Sequence, residues 1–181
     1  MPSRAVFLIS TRLLLVACLL PIGARAAQTP GYELESLAPI YLFGGYHIAA
    51  GVRFGNIRLR TSCIDGGDYD YEPHNPDFER NLGTGCGLFA GYFFSSHWHA
   101  YLYVEKQSYI VTNRQNGASE TFDVIDVGPG IGYQFFMGKN VYLQPALHLY
   151  WRRSQTKTIG GKSYTLRETD ISPTVRIGYR F

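Results

Sequence analysis

The sequence predicts an all-β fold, an antiparallel up-and-down transmembrane β-barrel of eight strands. Three observations support this prediction: similar strand endings that recur along the chain, a period-two alternation of apolar and polar residues, and short turns that alternate with long connections. Aromatic residues make up 15% of the chain and there are 20 glycines, a composition that favours strands. With 45% hydrophobic and only 17% charged residues, the chain is neither intrinsically disordered nor a dedicated nucleic-acid binder.

Residues 1–26 have the features of a cleaved secretory signal peptide. Arg4 and Arg12 supply positive charge before an apolar stretch, and Ala24-Arg25-Ala26 matches the small-x-small pattern that signal peptidase recognises. The apolar stretch of about 8 residues is shorter than the roughly 20 that a membrane-spanning helix needs. Residues 27–181 are therefore predicted to form the mature barrel domain.

The signal segment also bears on lipidation and on charge. Residues 15–18 fit a lipoprotein box, and in that alternative Cys18 would become a lipidated N-terminus. The formal net charge of +3 comes entirely from the signal, which contains three arginines and no acidic residue. The predicted mature domain is neutral.

The strand endings define the barrel. Four segments end alike, with a glycine followed three residues later by a phenylalanine: Gly51-Val52-Arg53-Phe54, Gly91-Tyr92-Phe93-Phe94, Gly132-Tyr133-Gln134-Phe135 and Gly178-Tyr179-Arg180-Phe181. The first three precede short polar turns, and the fourth ends the given chain. The connections at the opposite rim are longer, around 62–82, 112–119 and 154–162. Short turns on one rim and long loops on the other are typical of transmembrane barrels.

Seven strands can be placed from this pattern, at 44–54, 57–63, 84–94, 98–111, 120–135, 140–153 and 165–181. Because bacterial single-chain barrels have an even number of strands, an eighth is predicted at 32–43, with Gly44-Gly45 as its turn. Glu33 and Glu35 are poor residues for that strand. Prolines interrupt three of the others, and we expect bulges or local bends at these positions: Pro129, Pro145 and Pro173.

The alternation decides which face points outward. One face of every strand is uncharged, and the other carries arginines, histidines and acidic residues among glycines and tyrosines. A soluble lipocalin-like barrel would turn the apolar face inward, whereas a membrane barrel turns it towards lipid. Aromatic residues concentrate at the strand ends, where an interfacial girdle belongs. The pattern favours the membrane barrel.

The C-terminal residues Val175-x-Ile177-x-Tyr179-x-Phe181, together with the signal peptide and the alternating strands, resemble the small outer-membrane β-barrels of Gram-negative bacteria. The resemblance implies an outer-membrane location, periplasmic termini, and contact with membrane lipid and lipopolysaccharide. It also implies that the four residues form an assembly signature that the barrel-assembly machinery reads.

The polar face predicts a lumen filled by paired charges, because an eight-stranded barrel is just wide enough for side chains to fill and buried charges must be paired. The residues assigned to this network are Arg58, Arg60, Glu105, Asp126, His148, Arg152, Asp170 and Arg176. Such a plugged lumen favours a structural or surface-interaction role over an enzyme. No catalytic residue, cofactor or metal ligand is assigned.

A lipid A-modifying enzyme, either a deacylase or an acyltransferase, is the alternative function. His148 and Glu168 lie on adjacent predicted strands and could approach one another. Tyr150, however, occupies the position where the deacylase pattern has a serine, and the alternation turns His148 into the lumen, away from a lipid substrate.

Cys63 and Cys86 flank an acidic loop, residues 64–82. Export to an oxidising compartment favours a disulfide between them, and two unpaired cysteines are the alternative. The loop is predicted to be exposed, and its interleaved aromatic residues suit contact with an extracellular partner. Asp68-x-Asp70-x-Glu72 resembles calcium-loop spacing only superficially, since the rest of that pattern is missing.

Overall fold

The structure is a computed structural model that describes residues 29–181. The predicted signal peptide, its cleavage site and Cys18 lie outside the described residues. Within 29–181 the chain forms eleven strands and one 3₁₀-helix. The strands are β1 (Gly31–Leu37), β2 (Tyr46–Phe54), β3 (Ile57–Asp65), β4 (Phe78–Phe93), β5 (Trp98–Asn113), β6 (Ser119–Tyr133), β7 (Phe135–Met137), β8 (Val141–Trp151), β9 (Gln155–Ile159), β10 (Lys162–Leu166) and β11 (Thr169–Arg180), and the 3₁₀-helix is Ala38–Phe43.

Nine of these strands make one closed antiparallel sheet. Each strand pairs with its neighbours in chain order, and β1 closes the barrel by pairing with β11. β6 and β7 form a single barrel strand that is interrupted only at Gln134, and both pair with β8. β9 and β10 form a separate hairpin in the connection between β8 and β11. The predicted eight-stranded antiparallel barrel is confirmed.

The two rims differ as predicted. One end of the barrel, here called the short-turn rim, has the tight turns after β2, β4 and β7 together with both ends of the described chain. The other end, the long-loop rim, has the 3₁₀ segment, the 66–77 and 114–118 connections, and the β9–β10 hairpin. β3 and β4 extend further towards the long-loop rim than the alternation predicted, to Asp65 and from Phe78, so the first long loop is shorter than expected.

The first predicted strand is wrong in its length. β1 ends at Leu37 instead of Phe43, because Pro39 lies in the first turn of a 3₁₀-helix that Gly44 terminates with a φ of 74°. The backbone N–H of Leu37 donates to Nδ1 of His47, at 3.2 Å, at the point where the chain leaves the barrel wall. The predicted 165–181 strand begins only at Thr169, and residues 162–166 belong to the hairpin.

Of the bulges or local bends that were predicted at the three prolines, the structure has no bulge. The register between β8 and β11 runs without a break past Pro145 and Pro173. The register between β6 and β8 is the same on both sides of Pro129, where residues 128–129 are left out of the pairing. The barrel's register shift lies elsewhere, between Leu82 of β4 and Gly85.

At Pro129 the backbone of the partner strand makes close contacts in place of the missing pairing. Leu149 lies opposite Pro129 in the register, and its carbonyl accepts a hydrogen bond from the Tyr103 hydroxyl at 2.7 Å. The Leu149 carbonyl also lies so close to Gly128 that a Cβ at position 128 would collide with it. A glycine is therefore needed beside the proline.

Pro173 lies where the barrel wall has a local edge. β1 pairs with β11 only from Glu33–Arg180 to Leu37–Arg176, so residues 169–175 have no partner strand on that side. Phe181 donates its N–H to the Tyr32 carbonyl, and since backbone groups alternate sides along a strand, position 173 also faces β1. A missing N–H is tolerated at such an edge.

Burial follows the predicted alternation. The inward face holds buried charged and aromatic side chains, and the outward face holds exposed apolar ones such as Ile48, Leu102 and Ile177. An apolar exterior and a charged interior are the reverse of a soluble lipocalin-like barrel. Among residues 29–181, no helix is long and apolar enough to cross a membrane.

Candidate functional site

The inward face of the barrel contains two groups of buried ion pairs. The first, here called the lower network, lies towards the short-turn rim and centres on Arg58 of β3, whose side chain is 3% exposed. Its Nε lies 2.6 Å from Oε2 of Glu33, and its Nη2 is paired with Glu35. Nη1 donates to the Gln144 side-chain oxygen at 2.9 Å. Arg58 therefore links β3 to β1 and, across the lumen, to β8.

Arg60 and Arg180 complete the lower network. Arg60 Nη1 lies 2.6 Å from Oε2 of Glu35, and its guanidinium lies over the Phe89 ring, 4.2 Å from the centroid. Arg180, near the end of β11, donates to Oε1 of Glu33 at 2.6 Å. Two carboxylates on β1 thus hold three arginines, two from β3 and one from β11.

The second group, the upper network, lies towards the long-loop rim and centres on Arg152. Its Nε lies 2.5 Å from Oδ1 of Asp126, and its Nη1 lies 2.6 Å from Oδ2 of Asp170. Tyr109 donates its hydroxyl hydrogen to Asp126 at 3.0 Å. Arg80 also reaches Asp170, at 2.8 Å. This cluster joins β4, β5, β6 and β11 to the end of β8.

Between the two networks lies a buried region with few direct contacts. Nη2 of Arg176 lies 3.2 Å from Nε2 of His148, which also lies 3.1 Å from the Tyr101 hydroxyl. Nε and Nη1 of Arg176 and Oε2 of Glu105 have no hydrogen-bond partner among the described residues. The structure therefore brings five of the eight residues assigned to the lumen network into ion pairs and leaves Glu105, His148 and Arg176 outside them.

Glu33 and Glu35 are the lumen residues that were missed from the sequence. Both are almost fully buried, at 1% and 4% exposure, and they supply every carboxylate of the lower network. Glutamate is unfavourable in strands, but a spacing of two places both residues on one face. Two acidic residues at that spacing, separated by one strand from two arginines at the same spacing, Arg58 and Arg60, could have predicted buried ion pairs here.

The arrangement around His148 does not suit lipid chemistry. His148 is 1% exposed, and its Nε2 contacts the Thr174 hydroxyl at 3.1 Å as well as Tyr101 and Arg176. Glu168 is exposed and lies before β11 begins, and its backbone carbonyl accepts from the Arg152 N–H at 2.8 Å. Nδ1 of His148, which a triad histidine would direct at a carboxylate, has no hydrogen-bond partner among the described residues, and Nε2 lies beside a cation. Across 29–181, no group of three or more His, Cys, Asp or Glu side chains could hold a metal ion.

The loops at the long-loop rim are tied together by polar contacts. Asp70 pairs with Arg114 of the next loop, Asp77 lies 2.6 Å from Lys162 of β10, and Glu72 accepts from the Tyr164 hydroxyl at 3.0 Å. Below them lies an apolar cluster that includes Phe78, Phe122 and Leu166. The acidic loop and the hairpin thus form one packed cap.

The surroundings of two residues in the cap shift their pKa values. Partial burial raises the pKa of Asp70, but the backbone N–H groups of Glu72 and Arg80 and the Arg114 guanidinium outweigh it and bring the pKa below its ordinary value of 3.8. Burial raises the pKa of Tyr71 to about 12. The carboxylate of Asp70 is therefore ionised, and the phenol of Tyr71 neutral, around neutral pH.

Cys63 and Cys86 face one another across β3 and β4, directly opposite in the register, and the structure joins them by a disulfide. The 64–82 loop is bounded by this pair. Both cysteines lie on the outward alternation of their strands, above the apolar surface, and not in the lumen.

The four residues of the C-terminal signature share the outward face of β11 and the chain end. Val175, Ile177, Tyr179 and Phe181 are between 41% and 66% exposed. The Phe181 N–H donates to the Tyr32 carbonyl at 2.9 Å, so the last residue is held in the barrel wall. Its ring packs edge-on against Tyr179, at 4.9 Å between centroids.

The barrel geometry was compared with known proteins. No protein-family model matches the chain, and no curated protein matches it by sequence. Among solved structures, the chain is similar to a major outer membrane protein from Thermus thermophilus, with a TM-score of 0.50 and 10% identity over 85% of this chain and 100% of that one. The chain has the fold of a small outer-membrane barrel. It is also similar to Neisserial surface protein A (NspA), with a TM-score of 0.48 and 18% identity over 86% of this chain and 98% of that one.

Proposed function

We propose that the protein is an integral outer-membrane β-barrel, exported by its cleaved signal peptide, whose lumen is plugged and whose loops act at the cell surface in a structural or binding role. The outward face of β5 supports the membrane location. Trp98 lies at the short-turn rim, Lys106 is the first outward charge above it, and the outward side chains between them are apolar. At about 3.4 Å per residue and a tilt of roughly 40°, the eight residue steps from Trp98 to Lys106 span about 21 Å, close to the roughly 25 Å apolar band of outer-membrane barrels.

The plug is the second part of the proposal, and the Arg58 ion pairs are the observation on which it rests. Arg58 contacts β1 on one side and Gln144 of β8 on the other, so one side chain bridges the lumen. A second bridge lies above it at Arg152. Water-filled passage through a lumen this narrow would require both bridges to open.

Conductance across a planar lipid bilayer tests the plug. The purified protein should insert and leave the bilayer without porin-sized conductance steps. The Arg58→Ala, Arg152→Ala double variant should admit current, and Arg153→Ala, which removes an exposed arginine beside the same strand, should behave like the unmodified protein. Large steady conductance from the unmodified protein would contradict the plugged lumen.

The surface role is supported by the cap of packed loops. The acidic loop is braced against Arg114 and Lys162, yet it presents Tyr69, which is 42% exposed, and the neighbouring 3₁₀ segment presents Leu42, which is 84% exposed. A braced loop with exposed aromatic and aliphatic side chains is a suitable contact surface for an extracellular partner or for lipopolysaccharide. During assembly, the C-terminal signature would contact the barrel-assembly machinery.

Mass spectrometry of lipid A from cells with and without the protein separates the surface role from lipid modification. We expect identical acyl-chain patterns, because His148 is buried among Tyr101, Thr174 and Arg176. A changed pattern that His148→Ala abolishes would refute the non-enzymatic role.

A further inference from the structure

We propose that the barrel wall has a lateral opening between β1 and β11 through which the acyl chain of a membrane lipid enters a cavity in the upper half of the lumen. This inference rests on the membrane location proposed above. The cavity has a volume of about 790 Å³, within the range of small-molecule binding sites.

The opening follows from unequal strand lengths. β1 leaves the wall at Leu37, whereas β11 continues on the other side to Thr169. Between these points β11 pairs with β8 alone, so its edge towards β1 has no partner strand for its backbone groups. Pro173 lies in the middle of that edge and removes one donor that would otherwise recruit a partner strand. The 3₁₀-helix lies beside the gap without closing it as a strand.

The cavity passes through the wall at this place. Its lining includes inward residues of β11, Ser172 and Thr174, and also the outward residues Ile171 and Val175. In a continuous sheet, inward and outward side chains are separated by the sheet itself. One cavity can be lined by both faces only where the sheet has a free edge, so the cavity and the outward apolar surface are continuous.

The apolar part of the lining suits an acyl chain. Gln107, Arg80 and Asp170 also line the cavity, and the last two are paired with one another. The mouth is apolar, formed by Leu37, Phe43 and Val175, and the far wall is formed by Leu82 and the ring of Tyr109. Apolar groups of this kind favour a hydrocarbon over water by about 25 cal/mol per Å² buried. Arg167, exposed in the connection before β11, also lines the cavity and would lie near the anionic headgroup of a lipid whose chain had entered.

A photo-crosslinking experiment tests the opening. The full mature protein is folded into phosphatidylcholine vesicles that contain a phosphatidylcholine with a diazirine near the end of one acyl chain, and the adducts are assigned to residues by mass spectrometry. Leu82, Tyr109 and Val124 are matched reporters, since all three are inward and only 4–6% exposed, but only the first two line the cavity. We expect adducts at Leu82 and Tyr109 and none at Val124. Leu102 on the outer surface reports contact with the membrane itself.

Two variants at Ser172 test whether the acyl chain occupies the cavity. Ser172→Trp places a large side chain in the cavity and should reduce the adducts at Leu82 and Tyr109 to the level at Val124, while Leu102 remains labelled. Ser172→Ala should keep the unmodified pattern. If Ser172→Trp does not fold, the three-residue comparison in the unmodified protein decides the question.

The other outcomes are also decisive. Labelling of Leu102 without labelling of Leu82 or Tyr109 would overturn the lateral opening and leave the membrane location standing. Equal labelling of all three inward residues would show that the lipid probe reaches the whole lumen, which also overturns a specific opening. Absence of adducts at Leu102 in a folded protein would overturn the membrane location, and the lateral opening with it.

Discussion

Replacing Leu102 by arginine tests the depth of the barrel in the bilayer. Leu102 points outward from β5, is 57% exposed, and lies four residues from Trp98 at the short-turn rim and four from Lys106. Four residues of a strand tilted by roughly 40° correspond to about 10 Å of height, which places Leu102 near the middle of a band about 25 Å tall. Arginine at the midplane costs about 2–4 kcal/mol in such barrels. We expect Leu102→Arg to lower the free energy of unfolding by this amount.

Ile110→Arg is the matched control for this prediction. Ile110 lies on the same strand and the same outward face and is 41% exposed, but it lies beyond Lys106. Arginine near or above the interface costs only about 0–1 kcal/mol. Guanidinium titrations of both variants in phospholipid vesicles, followed by tryptophan fluorescence, give the two differences in unfolding free energy. Equal losses for the two variants would refute the assignment of Leu102 to the bilayer midplane.

The chain end, the lumen and the cap each give a further prediction. Deleting Phe181 should reduce the amount of barrel assembled in the outer membrane, as measured by heat-modifiable mobility on gels, whereas normal assembly would show that this residue is not part of the signature. Arg58→Ala should cost about 3–5 kcal/mol in unfolding titrations because it removes one of the two arginine partners of each buried carboxylate, Glu33 and Glu35. Arg53→Ala, which removes a half-buried arginine stacked over a ring, should cost clearly less. Because the pKa of Asp70 is lowered on folding, its stabilisation of the cap is present above its ordinary pKa of 3.8 and is lost as the pH falls through the lowered pKa. Hydrogen exchange of the loop amides should accelerate in that pH range. The Asp70→Asn variant should show no such pH-dependent step.

The outline of the barrel could be predicted because it depends on local patterns. Period-two alternation determines which face of a strand points inward, and turn residues mark where strands end, so seven strands and their orientation follow from the pattern. The eighth follows from the even strand number of such barrels. The assignment of Arg58, Arg60, Asp126 and Arg152 to the interior needed no knowledge of their partners. Their inward burial is what that alternation predicts.

The remaining features depend on contacts between distant segments. Glu33 and Glu35 are unfavourable for a strand in isolation, but arginines from β3 and β11 lie beside them and compensate for their burial. The length of β1 was misjudged because the whole of 32–43 was assigned from the even strand count, whereas Pro39 lies in the first turn of a 3₁₀-helix that takes up its second half. The proline in β11 was treated as an interruption of a complete wall, although the missing length of β1 leaves an edge there.

The arrangement of Arg176 and Glu105 could not be anticipated either. Both obey the alternation and both are buried, so sequence reasoning placed them in a network of pairs. Whether two inward groups meet depends on the stagger of the strands and on the large rings beside them, such as Phe89, which lies near the Arg176 guanidinium and which the sequence does not position.

The disulfide between Cys63 and Cys86 has a consequence for the order of biogenesis. It joins the two arms of one hairpin and lies at the height of Lys106, which is opposite Cys86 in the register, so it is at the upper edge of the apolar band. Disulfides form in oxidising compartments such as the periplasm, so we expect the bond to form there, while the strands are still outside the bilayer. From then on β3, β4 and the acidic loop between them must travel together. The loop would cross the membrane closed into a covalent ring. The register between β3 and β4 would then be fixed before the other strands pair to form the barrel.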